Sequence, residues 1–374
     1  MTTLRQRLRA SAAILVLSLM TALPLQAADP ASAGHGGSMA FVVRNLVSDV
    51  PGRAEHTDRN LVNGWGLAFG PTTPAWVADN GTDVSTVYDG NGNALPLVVA
   101  IPGGAPTGIV FNGTGVFRVR MGHTRAPSRF IFSSEAGVIA GWSPDVDRTH
   151  AIAQFHARDG AIYKGLALAS SGHQPYLYAT DFHNAKIDVF DGRFRRVRLA
   201  GDFMDPRLPR GFAPFGIQNI GGRLYVTYAK QDRDREDDVH GPGLGFVDVY
   251  DAEGHLLRRL ASRGALDAPW GLARAPEHFG RFGGDILVGN FGDGIINAYD
   301  PRTGAFAGSL RGPDGRRIVI DGLWGLSFGN GIPTQPEDTL FFAAGPDDES
   351  HGLFGRIDAA GRGDDDHGHG GYRY

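Results

Sequence analysis

A six-bladed β-propeller, an all-β fold, is what this sequence predicts, and three observations predict it. A phrase of three short strands, first met in residues 63–93 (NGWGLAFGPTTPAWVADNGTDVSTVYDGNGN), recurs with its glycine at Gly66, Gly108, Gly165, Gly216, Gly271 and Gly325. The spacings of 42, 57, 51, 55 and 54 residues are those of propeller blades. Each copy holds apolar strands separated by Gly- and Asn-rich turns, with no long helical pattern between them. The 55 glycines, far above average use, fit a chain that turns often.

The chain opens on Arg5, Arg7 and Arg9, an apolar run over residues 10–23 and small residues around Ala27 and Ala28. That order predicts an export signal over residues 1–28, cleaved near Ala28 or at Ala31-Ser32-Ala33, and places the protein in the periplasm or outside the cell. The run is too short to span a bilayer, and no later stretch approaches the length of a membrane helix. Losing the three arginines takes the formal charge from −4 to −7, which argues against nucleic acid or an anionic membrane as partner. With no cysteine in the chain, disulfides and thiolate chemistry are excluded, and stability has to come from packing.

Residues 29–40 are small and polar, a flexible leader. Residues 41–47 (FVVRNLV) read as a strand that precedes the first repeat and has no blade of its own. The last unit supplies only three strands (LWGLSF, TLFFAA, LFGRID), so the N-terminal strand is expected to close it and leave no exposed edge. Residues 41–361 therefore form one propeller, and residues 362–374 a disordered Asp/Gly/His-rich tail. The piece GVFRVRM (115–121) is an extra extended segment in the second blade. Asp89, Asp191, Asp251, Asp300 and Asp358 each end a third strand and are followed within one to four residues by a glycine, the position of an aspartate that accepts bonds from its own turn. The loop over residues 231–243 (QDRDREDDVHGPG) is the one large charged insertion; it lacks the glycine and terminal glutamate of an EF-hand and reads as a solvated loop, with a looser calcium site or a lid as alternatives.

Chemistry in this fold sits at the channel lined by the first strands. The residues preceding the repeat glycines are Trp65, Thr107, Lys164, Phe215, Trp270 and Trp324. The rings either wedge between blades or form an aromatic rim that stacks a sugar or other flat ligand, which makes Trp65, Lys164, Phe215, Trp270 and Trp324 the candidate ligand-binding set. A second ring is set by the residues ending the second strands, where Asp79, Asp181 and Asn290 are candidate metal ligands of calcium type, or else caps of adjacent backbone. The sequence carries no GxSxG, HExxH, Walker or strand-linked GxGxxG motif, so no catalytic residue is assigned.

The runs NLVSDVPGRAEHTDRNLVNGWGLAFG (45–70), YAKQDRDREDDVHGPG (228–243), APWGLA (268–273) and DGLWGLSFGNG (321–331) resemble an uncharacterised family of exported bacterial proteins, similar in turn to NHL-repeat and SMP-30/gluconolactonase-like propellers. Some relatives end in a PEP-CTERM sorting tail; this chain ends in HGHGGYRY, which favours release over anchoring. The resemblance implies a six-bladed propeller with no established activity, and in the wider lactonase group one calcium-class ion held by Glu, Asn and Asp at the pore. The functional expectation is a binding module for a small molecule, glycan or protein. The alternatives are a metal-dependent hydrolase of the lactonase type and a structural envelope protein.

Overall fold

Each repeat folds into an antiparallel sheet whose strands run outward in chain order from a central axis, and six such sheets make the propeller. The structure, a computed structural model, describes residues 39–361; the expected export signal, most of the leader and the tail lie outside the described residues. The innermost strands are Gly64–Ala68, Pro106–Phe111, Tyr163–Ser171, Phe212–Ile220, Pro269–Arg274 and Leu323–Phe328. Blade 3 is typical, with Tyr163–Ser171, Gln174–Asp181, Lys186–Phe190 and Arg196–Val197 in sequential order. No α-helix occurs among the described residues, and none is long and apolar enough to cross a membrane.

The second strands are uninterrupted apolar runs rather than alternating ones because both their faces are covered. Ala75–Asp79, Phe130–Ser134, Ile286–Asn290 and Leu340–Ala344 are buried at every position. The apolar side chains sort into one cluster per blade interface. Trp76 and Phe130 pack between blades 1 and 2, Ile139 and Leu177 between 2 and 3, and Tyr178 and Val226 between 3 and 4. Val247 and Val288 fill the next interface, Leu287 and Phe342 the one after, and Phe341 and Val77 close the circle. A seventh cluster lies on the axis. Burying such side chains contributes on the order of 1.5–3 kcal/mol each, and every blade does so only against its neighbour.

The ring closes as the strand count predicts. The N-terminal strand Phe41–Ser48 pairs antiparallel with Leu353–Ala359, with Phe41 opposite Ala359, and becomes the fourth strand of blade 6, with the two-residue strand His56–Thr57 pairing parallel along its far side. Its Phe41, Leu46 and Val47 are at most 1% exposed.

The repeat glycines are packing residues of the first strands. A β-carbon on Gly271 would lie 2.5 Å from the Trp324 carbonyl oxygen, and one on Gly325 2.5 Å from that of Trp65. A β-carbon on Gly165 would lie 2.9 Å from the Phe215 oxygen; Gly66 and Gly216 face the oxygens of Thr107 and Trp270 still more closely, and Gly108 abuts the Leu166 amide. Each glycine thus clears the backbone of the next blade, in an unbroken circle of six.

Two local expectations change. The segment containing GVFRVRM forms a two-stranded hairpin, Arg118–Met121 with Thr124–Pro127, inserted between the first two strands of blade 2. The aspartate turns hold for Asp89, Asp191, Asp251 and Asp300, each of which accepts two backbone N–H bonds from its own turn. Asp358 instead lies inside the strand Leu353–Ala359, where it receives the Arg356 guanidinium and the Thr339 hydroxyl.

Candidate functional site

The channel is stoppered by aromatic rings, and one mouth of it carries a polar chain built from five blades. The first-strand rings meet one another on the axis rather than wedging between blades or forming an open rim. Trp65 stacks on Trp324 at 3.7 Å between centroids, Phe291 stacks on the Trp324 ring at 4.0 Å, and Phe215 and Trp270 meet it edge-on at 5.7 and 5.8 Å. Trp65, Phe215 and Trp324 are at most 2% exposed, so they form a floor beneath any ligand and offer it no open stacking face. Trp270 is half-buried, and its indole N–H donates to the Lys164 carbonyl at 3.0 Å.

Lys164 rises from this floor with its Nζ 5.1 Å from the Trp65 ring centre, a cation–π distance. It is 2% exposed and donates to Glu135 Oε1 at 2.5 Å and Asp237 Oδ1 at 3.1 Å. Burial acts to lower its pKa, but the two carboxylates outweigh that and the net shift is upward, so it stays an ammonium. The other Glu135 oxygen accepts from Asn80 at 3.1 Å, and the Asn80 oxygen accepts from Asn63 Nδ2 at 3.2 Å. Asn63 Nδ2 also donates to Glu349 at 2.6 Å, while its oxygen accepts the Trp324 indole N–H at 3.2 Å. The chain of bonds runs from Asp237 of blade 4 through blades 3, 2 and 1 to Glu349 of blade 6.

The backbone pays for this arrangement. Asp347, Asp348 and Glu349 are consecutive residues at φ +58°, +50° and +63°, and Asn63 stands at +50°. Left-handed L-residues cost about 1–2 kcal/mol each and rarely follow one another. Such a loop persists only where its surroundings hold it, and its product is a Glu349 carboxyl aimed at the mouth. Burial raises the Glu349 pKa, opposed by its bond from Asn63 and by the Lys164 charge. Asp238, beside Asp237, is pushed up to about 7, chiefly by burial; its Oδ2 has no hydrogen-bond partner among the described residues and lies 3.9 Å from His240 Nδ1. The charged insertion is therefore not a free solvated loop. Its short strand Asp238–Val239 pairs with the second strand of blade 4, Gln231 donates to the Phe182 carbonyl, and Asp237 reaches Lys164.

Asp79, Asp181 and Asn290 sit on three different blades and share no hydrogen bond; Asp181 and Asn290 are each engaged locally. Asp181 accepts from Asn184 at 2.8 Å and sits 3.4 Å from Lys186 Nζ. Asn290 donates to the Ala265 carbonyl and to Asp293. Asp79 is fully buried, neither of its oxygens has a hydrogen-bond partner among the described residues, and burial raises its pKa well above the usual carboxylate value, with Thr86 opposing. One carboxylate trio, Asp159, Asp181 and Asp188, has oxygens within 4.8 Å of one another. Lys186 lies within 3.4 Å of all three and Arg196 within 3.1 Å of two, so the cationic charge is already supplied by side chains. The Asp159, Asp181 and Asp188 trio therefore does not fit a calcium-class ion.

The raised pKa of Asp79 has a measurable consequence. The folded state favours the neutral acid, so ionisation penalises the fold increasingly as pH rises above the unfolded value near 4. Asp79→Asn is expected to melt like the wild type at pH 3.5 and to be more stable at pH 8, by about 1–3 kcal/mol. Melting curves across that range check it, and a wild-type advantage at pH 8 would refute it.

The ring that matters lies one residue beyond the ring read from the sequence. Side chains alternate faces along a strand, so moving one position past Asp79, Ser134, Asp181 and Asn290 turns from the blade to the channel. It arrives at Asn80, Glu135, Phe182 and Phe291, which belong to the polar chain or the stopper.

No protein-family profile matches the chain. Protein R648 of Acanthamoeba polyphaga mimivirus is 35% identical over 330 residues, covering 84% of this chain and 79% of R648. This chain belongs to the R648 family. Protein L690 of the same virus is 34% identical over 329 residues, covering 84% of this chain and 85% of L690. These relatives are viral, and both are described as uncharacterised. Among solved structures, a streptogramin B lyase aligns with a TM-score of 0.47 and 11% identity over 86% of this chain and 99% of the lyase. A chain of the nidogen/laminin complex aligns with a TM-score of 0.44 and 17% identity, over 76% of this chain and 84% of the other.

Proposed function

We propose that this propeller is a binding module whose ligand seats in the mouth above Trp65 and Trp324. The observation that carries this reading is Lys164, a buried ammonium held at the centre of a bond chain from five blades. An apolar side chain would fill that space without the cost of dehydrating a charge, so a purely structural role leaves Lys164 unexplained. Acids outnumber bases around it, with Glu135, Asp237, Asp238 and Glu349 facing Lys164 and His240. The carboxylates, two carboxamides and an ammonium over an indole floor suit a small polar molecule rich in hydroxyl or amine donors, of which a sugar unit is the simplest. Export to the periplasm or the outside is part of the same proposal, supported by the charged, apolar and small-residue order of residues 1–28; N-terminal sequencing of the protein from its host tests it.

Lys164→Met is the test of the mouth. Glu135 and Asp237 are 29% and 76% exposed at the side chain, so both can rehydrate, and stability is expected to change by no more than about 2 kcal/mol. Calorimetric titration with a panel of monosaccharides, oligosaccharides and polyamines should find ligands for the wild type that the variant no longer binds. A variant that keeps the wild-type affinities would overturn the reading.

Asp238 favours a second reading, in which the mouth transfers protons. A carboxyl poised near 7 in a polar cleft is suited to general base work. A hydrolysis screen that found turnover with a pH limb near 7, lost in Asp238→Asn, would move the conclusion from binding to catalysis. The lactonase form of that reading has less support, since the three predicted metal ligands sit on separate blades and share no hydrogen bond.

A further inference from the structure

Charge is distributed unevenly along this chain. Residues 90–134 contain no Asp or Glu in a protein of net charge −4, yet they hold Arg118, Arg120, Arg125, Arg129 and His123. Three of those arginines lie on the inserted hairpin of blade 2, an element no other blade carries.

The hairpin has two different faces. Val119 stands opposite Ala126 and both are buried, packed towards the outer strands of blade 2; a β-carbon on Gly141 would touch Val119 and Ser128. On the other face Arg120 stands directly opposite Arg125, with Arg118 two residues along from Arg120, and all three are exposed. Like charges directly opposed across two strands destabilise the pair, and a hairpin kept for structure alone would place an acid at one of the positions. The side-chain bonds on that face run to carbonyls, Arg118 to Arg125 and Arg120 to Gly122. No carboxylate lies within ion-pairing distance of Arg118, Arg120, Arg125 or Arg129 among the described residues.

We infer that this face docks an acidic polysaccharide, its sulfate or carboxylate groups received by Arg118, Arg120 and Arg125. The site is separate from the channel mouth and does not rest on the proposal made for it. Guanidinium forks bind such oxyanions in bidentate fashion, and two arginines on one strand stand about 7 Å apart, a spacing suited to successive charged groups on a linear polymer. The face holds no exposed Phe, Tyr or Trp ring for base stacking, and the chain's formal charge of −4 opposes a long polyphosphate, which argues against nucleic acid. Its apex offers a single apolar side chain, Met121, too little to insert into a bilayer.

The test uses the full chain with dextran sulfate as probe and uncharged dextran as control at low ionic strength. Dextran sulfate is expected to bind and dextran is not. Arg125→Glu places an acid opposite Arg120, so the melting temperature should hold or rise, while affinity falls about tenfold or more and its salt dependence flattens. Unchanged affinity in Arg125→Glu overturns the inference, as does an absence of binding by the wild type. Tighter binding of a duplex DNA oligonucleotide or of phosphatidylglycerol vesicles than of dextran sulfate overturns the polysaccharide assignment as well.

Discussion

Gly271→Ala is expected to destabilise the propeller by about 3–5 kcal/mol and to lower its melting temperature by roughly 5–15 °C. The added methyl would sit 2.5 Å from the Trp324 carbonyl oxygen and 2.9 Å from the Leu326 side chain, where ordinary contacts need well over 3 Å. Backbone cannot rotate aside as a side chain can, so blades 5 and 6 must separate at the axis. That movement is resisted by the whole Leu287–Phe342 cluster on one side and by the Trp65–Trp324 stack on the other. Gly115→Ala is the control, because a β-carbon there meets nothing within 4 Å and its φ lies outside the left-handed region. Calorimetric melting of the two variants decides the matter, and equal melting temperatures would show that the axis has room to relax.

Removing the closing strand should be more damaging still. A chain that begins at Asp49 loses Phe41, Leu46 and Val47 from two interface clusters, which alone is worth about 4–9 kcal/mol. It also bares the Leu353–Ala359 edge, an open row of backbone donors and acceptors that invites another chain. The expected result is loss of the cooperative transition or association into larger species, seen by calorimetry and light scattering. Adding a peptide of residues 41–48 should restore part of the lost stability by re-forming that edge. A truncated chain that stays monomeric and melts like the wild type would mean that the blade 6 sheet is complete with three strands.

The fold was legible because its evidence is repeated. One strand phrase is ambiguous, but six copies, a missing strand at one end and a spare strand at the other leave few arrangements. Four of five aspartate turns were legible for the same reason, since a carboxylate next to its own turn amides acts locally. The mouth was harder to read. Glu135, Asn80 and Glu349 meet Lys164 and Asn63 only after the ring closes, and choosing strand ends one position early selected side chains of the opposite face. Glu349 carried a further obstacle: three successive left-handed residues are disfavoured locally and appear only where tertiary contacts impose them. The aromatic identities were visible, whereas their meeting at 3.7 Å depends on a blade diameter that no local pattern encodes.

Five of the six axial glycines abut a carbonyl oxygen, an atom that every amino acid possesses, and the sixth abuts an amide nitrogen. The clearance at the hub is therefore indifferent to which side chain stands at positions 65, 107, 164, 215, 270 and 324. How closely one blade approaches the next is thus set by glycine against main chain, while the buried rings at 65, 215 and 324 have the separate task of filling the axis, where truncation would leave a cavity.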